Sequence, residues 1–278
     1  MQYNNIVTGI FHERPNRFIA LVEINGQLEK CHVKNTGRCR EILTPGAEVY
    51  LQDALAGDNL MINANQAAKN GTENAEQEQA EKDGTVKAEQ EQTAKIGNGG
   101  LRVKRGAASA RKTRYDVIAV KKGSRIVNMD SQVPNKAVAQ WLAEGNLFSK
   151  NAMIRPEQKY GNSRFDLYIE DGGRKAFMEI KGVTLEEDGI ARFPDAPTER
   201  GVKHVQELCQ CAQEGWEAYI FFLIQMKGVR QLEPNWKTHE AFGIALQEAQ
   251  KCGVKILAYD SVVTEDSICV GTQIPVKL

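Results

Sequence analysis

Residues 163–183 read SRFDLYIEDGGRKAFMEIKGV, two strand-like runs joined by Gly172-Gly173. A glycine pair between two such runs is typical of a tight two-residue β-hairpin turn. In the register that this turn sets, Asp166 lies opposite Glu179. Directly opposed residues share one face of a sheet and have Cβ atoms about 5 Å apart. The hairpin therefore predicts two neighbouring carboxylates.

Two carboxylates at that separation repel each other unless a positive charge lies between them. A hard divalent cation such as Mg²⁺ or Mn²⁺ supplies that charge, since it prefers oxygen ligands and often takes only one or two protein carboxylates. Lys181 follows on the same face, where an ammonium would orient water or stabilise charge on a phosphate. We predict Asp166 and Glu179 as metal ligands and both, with Lys181, as catalytic. The spacing alone fits equally well a solvated face with salt bridges from Asp166 to Arg164 or Lys181.

Helical and strand patterns alternate around this hairpin. The predicted order of elements, α-β-β-α-β-α-β, indicates a mixed sheet with helices on both faces. The predicted helices span 134–144, 198–214 and 238–251, and the strands span 163–170, 176–183, 218–224 and 254–259.

The N-terminal part has a different pattern. Residues 1–53 read as short strands separated by turn signals such as Asn25-Gly26, and the region 114–130 supplies two more strands. Roughly five short strands without intervening helices indicate a small closed β-barrel such as an OB-fold. We predict an OB-like domain over 1–128 and an α/β domain over 129–278.

A low-complexity insertion at about 54–109 interrupts the predicted barrel. Its segment 64–95 has no aromatic residue, and Val86 is its only side chain more apolar than alanine. Such a composition buries too little surface to offset its ordering entropy, which favours a surface loop. Its abundant Ala, Glu, Gln and Lys fit an exposed helix as an alternative. We assign it no catalytic role.

Composition narrows the class of protein. Lys+Arg and Asp+Glu are both 36, which argues against a protein that is basic all over but does not exclude a basic face. The most apolar run, at 218–224, is too short to span a bilayer, and the N-terminus lacks a signal-peptide pattern. Six scattered cysteines fit reduced thiols. We expect a cytoplasmic protein without a membrane partner.

Several segments outside the insertion form a specific set, among them NTGR at 35–38, RKTRYD at 111–116 and FPDAPTERGVKH at 193–204. With them the chain resembles the sugar fermentation stimulation protein A family over nearly its whole length. The resemblance implies an OB-like domain, a second domain similar to PD-(D/E)xK nucleases, DNA binding and regulation of sugar metabolism genes. It places the nuclease-like triad on Asp166, Glu179 and Lys181, with Phe165 where the motif has proline.

Basic side chains are expected to contact nucleic acid on both domains. On the barrel they cluster near the first strands and the NTGR turn. In the second domain, the helix that begins at Thr198 has basic residues in its first turns, and we predict that it binds a phosphate group. A solvated barrel rim is the alternative for the barrel arginines. The predicted contacts are Arg17, Asn35, Arg38, Lys112, Arg114, Arg164, Arg200 and Lys203.

Other residues near the predicted site carry narrower expectations. Gln140 stands on the first helix where the family is expected to carry a third carboxylate. Asp195 would cap the second helix or reach the metal, and capping is the commoner use. His204 is expected to be an ordinary core or surface side chain, and Phe18 is expected in the core. Two functions follow: a metal-dependent phosphodiesterase, or a DNA-binding regulator that keeps a nuclease-derived fold without cleaving.

Overall fold

The computed structural model describes residues 1–35, 37–56, 113–161 and 163–278. Two predictions lie outside these ranges: the low-complexity insertion, apart from its first residues, and the nucleic-acid contact Lys112. The described strands form two six-stranded sheets and one three-stranded sheet.

The first sheet is a closed barrel. Its strands are β1 (Ile6–Asn16), β2 (Ile19–Ile24), β3 (Gln27–Val33), β4 (Glu48–Asp53), β5 (Tyr115–Lys122) and β6 (Arg125–Asn128). They follow the order β3-β2-β1-β4-β5-β6, and β3 also pairs in parallel with β5 through Val33 and Val117. That extra pairing closes the first five strands and confirms the predicted OB-like barrel.

The second large sheet carries the predicted hairpin. Its strands are β7 (Met153–Tyr160), β8 (Ser163–Asp171), β9 (Arg174–Val183), β12 (Glu217–Ile224), β14 (Lys255–Val263) and β15 (Ile268–Gln273). A small sheet contains β10 (Glu186–Glu187), β11 (Ile190–Phe193) and β13 (Gln231–Pro234). The large sheet has the order β15-β14-β12-β9-β8-β7, with β9, β12 and β14 parallel to one another. The predicted mixed sheet is confirmed.

Helices cover both faces of this sheet, as predicted. They are α1 (Val133–Ala143), α2 (Glu199–Gln213) and α3 (Glu240–Lys251). Leu142 of α1 belongs to one buried cluster with Met178, whereas Leu208 of α2 belongs to another with Phe177. Met178 and Phe177 are neighbours on β9 and therefore point to opposite faces.

The sequence pattern missed β7, β10, β11, β13 and β15. β7 is an edge strand whose side chains are exposed or half-buried, and it contains Pro156, so it lacks the alternation of a buried strand. The strands of the small sheet are too short to show a period. Phe18, expected in the core, is 49% exposed beside the turn between β1 and β2.

The hairpin has the predicted register but a shorter ladder. Asp171 pairs with Arg174, and the pairing continues to Leu167–Met178, where it ends. Asp166 and Glu179 are therefore not ladder partners, which corrects the expected direct opposition. Leu167 packs in the cluster of α1, whereas Phe165 packs in the cluster of α2. The side chains of β8 therefore switch from one face of the sheet to the other near Phe165 and Asp166. The pairing of β8 with β9 ends at the same place, and the candidate site begins there.

Candidate functional site

Asp166 occupies the opening between β8 and β9. Its Oδ2 accepts a hydrogen bond from the backbone N–H of Ile180 at 2.7 Å, and its Oδ1 accepts one from Nδ2 of Asn135 at 2.8 Å. The carboxylate thus replaces a strand partner for Ile180. Because each oxygen has a donor, the group is held in one orientation at the end of the ladder.

Glu179 lies on β9 and is only 3% exposed. Its Oε1 accepts a hydrogen bond from Nζ of Lys181 at 2.6 Å and is also in contact with Nδ1 of His204. Its Oε2 is buried and has no hydrogen-bond partner among the described residues. A buried carboxylate oxygen without a partner is costly, so an atom in this position calls for a bound donor or cation.

The two carboxyl groups have opposite pKa shifts. Burial and the negative charge of Glu179 raise the pKa of Asp166. Burial also opposes ionisation of Glu179, but hydrogen bonds from His204 and Lys181 outweigh it and lower the pKa of Glu179. The site therefore holds Glu179 as a carboxylate, whereas Asp166 becomes ionised less readily. A cation between them would favour the ionised form of both.

Both carboxylates open into a cleft of about 990 Å³. Among the described residues that line it, basic side chains outnumber acidic ones, since only Glu157 joins the two site carboxylates. Arg200 also lies 3.4 Å, Nε to Nε2, from His204. The basic residues in the wall are Lys159, Arg164, Lys181, Arg200 and Lys203.

The structure thus gathers the predicted triad and three predicted nucleic-acid contacts, Arg164, Arg200 and Lys203, around one cleft. The α2 residues reach it together because positions three and four apart share a helix face. Thr198 starts this helix by accepting a hydrogen bond from the N–H of Gly201 at 3.0 Å.

The barrel residues lie elsewhere. Arg14 donates from one nitrogen to the carbonyls of Arg17 and Asn35, both at 2.6 Å, and from the other to those of Gly37 and Arg38. The exposed side chains of Arg17 and Arg38 therefore stand on one rim. Arg114 is instead held by Asp53, with Nε to Oδ2 at 2.9 Å.

Two residues singled out near the site lie away from Asp166 and Glu179, and the expected capping role of Asp195 is wrong. Gln140 does not face the cleft, because its Oε1 accepts a hydrogen bond from the N-terminal amine of Met1 at 3.0 Å. The α1 residue at the site is Asn135, in the first turn. Asp195 does not cap α2, since Thr198 does, and it lines a second cavity beside the cleft.

His204 was expected to be an ordinary core or surface side chain, yet it contacts Glu179 directly. The sequence offered one signal for this role, because His204 follows Arg200 by four residues and hence lies on the same helix face. Asn135 offered no signal, since its contact with Asp166 depends on where α1 packs.

Within the described ranges, no group of three or more histidine, cysteine, aspartate or glutamate side chains is arranged to hold a metal ion. Mg²⁺ does not require such a group, because it keeps several waters and often binds one or two carboxylates. Asp166 and the unpartnered Oε2 of Glu179 fit that requirement. None of the helices in the described residues combines the length and apolarity needed to cross a membrane.

The fold and site define a protein that joins an OB-type barrel to an α/β domain with a two-carboxylate, lysine-containing cleft. Family models agree on both parts: the SfsA N-terminal OB domain matches residues 13–59, and the sugar fermentation stimulation protein RE domain matches residues 132–267. The chain belongs to the sugar fermentation stimulation protein family.

Relatives extend over the full length. A sugar fermentation stimulation protein homolog of Desulfitobacterium hafniense strain Y51 is 49% identical, with 100% of this chain and 99% of that protein covered. A homolog of Clostridium beijerinckii is 45% identical, with 100% of both covered. Among solved structures, Pyrococcus furiosus SfsA in complex with Ca²⁺ has a TM-score of 0.70 at 24% identity, covering 100% of this chain and 98% of that one.

Proposed function

We propose that this protein binds DNA in the cleft and cleaves its phosphodiester backbone with a divalent cation, Mg²⁺ or Mn²⁺, held by Asp166 and Glu179. The observation that carries the proposal is the buried, unpartnered Oε2 of Glu179 in a cleft whose wall is rich in cations. That combination suits an anionic substrate that arrives together with a metal ion.

The donor chemistry supports the cation. Both candidate ligands are carboxylate oxygens, which hard divalent cations prefer. The related Pyrococcus furiosus protein was solved with Ca²⁺, another oxygen-seeking cation. When bound, such an ion would acidify a coordinated water and stabilise negative charge on a phosphate.

Lys181 and His204 act through hydrogen bonds at the reacting end of the cleft. Lys181 donates to Oε1 of Glu179 and places its ammonium in the cleft wall, where it would hold a water or a phosphate oxygen. His204 contacts the same oxygen and fixes the orientation of Glu179. Lys181 is therefore the proposed catalytic lysine, and His204 is a positioning residue.

Phosphate binding falls to the cations around this centre. Arg164, Arg200 and Lys203 line the cleft. Contacts to phosphate dominate the affinity of proteins for DNA. The barrel rim with Arg17, Asn35 and Arg38 would extend the surface, as OB-folds bind single strands in basic grooves. Arg114 is left out of this surface because Asp53 already engages it.

One observation favours the second candidate, a DNA-binding regulator of sugar metabolism genes that does not cleave. Helix α1 presents the amide of Asn135 to Asp166, and Gln140 faces away, so α1 adds no carboxylate to the pair Asp166 and Glu179. A site with fewer negative ligands holds a metal ion more weakly. Binding without turnover would then be the function of the cleft.

Calorimetric titration with Mn²⁺ tests the metal site itself. We expect the wild-type protein to bind the ion and Glu179→Gln to bind it at least about tenfold more weakly, since one charged ligand is lost. Glu157→Gln is the matched control, because Glu157 lines the same cleft but is 63% exposed. Equal affinities for all three proteins would contradict the proposed ligand set.

A further inference from the structure

A small polar cavity of about 100 Å³ lies beside the cleft, and the two share Ser131 in their walls. The cavity has space for about three water molecules, judged from the volume of water in the liquid. The segments NTGR and FPDAPTERGVKH, far apart in sequence, both contribute to it, through Asn35 and Asp195 respectively. Neither Asn35 nor Asp195 is among the metal ligands proposed above.

Two acceptor groups in this cavity have no partner among the described residues. Asp195 is exposed and forms no hydrogen bond or ion pair with any of them. Gln225 is 1% exposed, and its Nε2 donates to Asn128 and Asp130, which turns its Oε1 away from them. That oxygen accepts no hydrogen bond from the described residues.

Two glycines make room for these acceptors. A Cβ on Gly37 would overlap the carboxylate of Asp195, and a Cβ on Gly182 would overlap Oε1 of Gln225. Neither glycine has a positive φ, so close approach is what requires them. Gly182 directly follows Lys181, which places the cavity next to the proposed reacting centre.

We propose that this cavity receives the amino-bearing edge of an unpaired nucleobase, with Asp195 and Gln225 accepting its N–H groups. This inference rests on the proposed binding of DNA in the cleft. An unpaired base exposes its Watson–Crick edge, and carboxylate and amide side chains read such edges by hydrogen bonding.

The cavity wall argues against a second cation. Among the described residues that line it, Asp195 is the one carboxylate, and Arg192, which Glu187 engages at 2.9 Å, lies in the same wall. The small volume argues against a whole nucleoside or sugar, so only the polar edge of a ring fits. A neutral group with N–H donors matches both features.

Fluorescence anisotropy with short single-stranded homopolymers in a chelator separates this inference from cleavage. Cytosine carries an amino group where thymine has a carbonyl. We expect wild-type protein to bind oligo-dC about tenfold more tightly than oligo-dT, and Asp195→Ala to reduce that ratio to about one while oligo-dT affinity stays unchanged. Asp188→Ala removes the same charge from an exposed site elsewhere and should keep the preference.

A wild-type protein without base preference, or an Asp195→Ala variant that keeps it, would overturn the inference while leaving DNA binding intact. Failure to bind either oligonucleotide would instead overturn the proposed function and this inference with it. Glu179→Gln should retain the preference, because the acceptors belong to a cavity separate from the metal ligands. Loss of preference in that variant would contradict the separation.

Discussion

The side chain of Asp166 links the fold to the proposed chemistry. Its Oδ2 satisfies the N–H of Ile180, which β8 leaves without a ladder partner where the hairpin opens. An unpaired buried N–H costs about 1–3 kcal/mol, so the carboxylate stabilises the opening that it occupies. Burial of this group and the nearby charge of Glu179 make ionisation of Asp166 unfavourable without a cation.

This conflict predicts a pH-dependent stability. The raised pKa of Asp166 means that the folded protein binds its proton more tightly than the unfolded chain does. Ionisation of Asp166 therefore lowers the free energy of unfolding as the pH rises above the ordinary pKa of an aspartate. We expect metal-free Asp166→Asn, which still offers an acceptor to Ile180, to melt at a higher temperature than wild type at neutral pH.

The difference in melting temperature should vanish as the pH falls below the ordinary pKa of an aspartate, where Asp166 is protonated in both the folded and the unfolded wild type. Thermal unfolding in a chelator across a pH series measures it. Glu157→Gln, at an exposed carboxylate, should follow wild type throughout. A lower melting temperature for Asp166→Asn at neutral pH would show that the ionised group stabilises the metal-free fold.

The proximity of residues within one hairpin could be predicted, whereas the contacts of Asn135 and His204 with that hairpin could not. Asp166, Glu179 and Lys181 are within one turn-defined pair of strands, so local geometry brings them together. Asn135 and His204 come from helices whose packing decides what they contact. The role of Gly37 was also not visible, because it depends on the distant Asp195.

Helix α2 delivers three side chains to the cleft as one element. Thr198 caps its first turn, and Arg200, Lys203 and His204 follow at spacings that share a face. Its start was predictable because a threonine before an apolar periodic run is a typical N-cap. Its buried stripe, which includes His204, Val205 and Leu208, fixes the direction in which Arg200 and Lys203 project.

The charges of α2 predict the salt dependence of DNA binding. We expect Arg200→Ala and Lys203→Ala each to weaken binding and to flatten the plot of log affinity against log salt by about 0.9 per lost phosphate contact. Arg114→Ala is the control, because Arg114 is already paired with Asp53. Equal slopes for wild type and the α2 variants would show that this helix does not contact phosphate.

At the scale of the whole molecule, periodicity was enough to predict a barrel followed by an α/β sheet. Strands of the core, such as β12, are buried in an unbroken run after their first residue, and turns such as Asn25-Gly26 have the positive φ that their residue types favour. Short or edge strands such as β7 and β11 were not predicted, because hydrogen bonds to neighbouring strands hold them in place and their own sequence has no strand periodicity.

The central claim is that the opening of the hairpin is a metal-dependent phosphodiesterase site. Its most direct test is cleavage of labelled single- and double-stranded DNA with Mg²⁺, Mn²⁺ or chelator, for wild type and Lys181→Ala. We predict metal-dependent cleavage by wild type and its loss, with retained DNA binding, in Lys181→Ala. Binding without cleavage by wild type under every metal condition would contradict the claim and identify a DNA-binding protein on this scaffold.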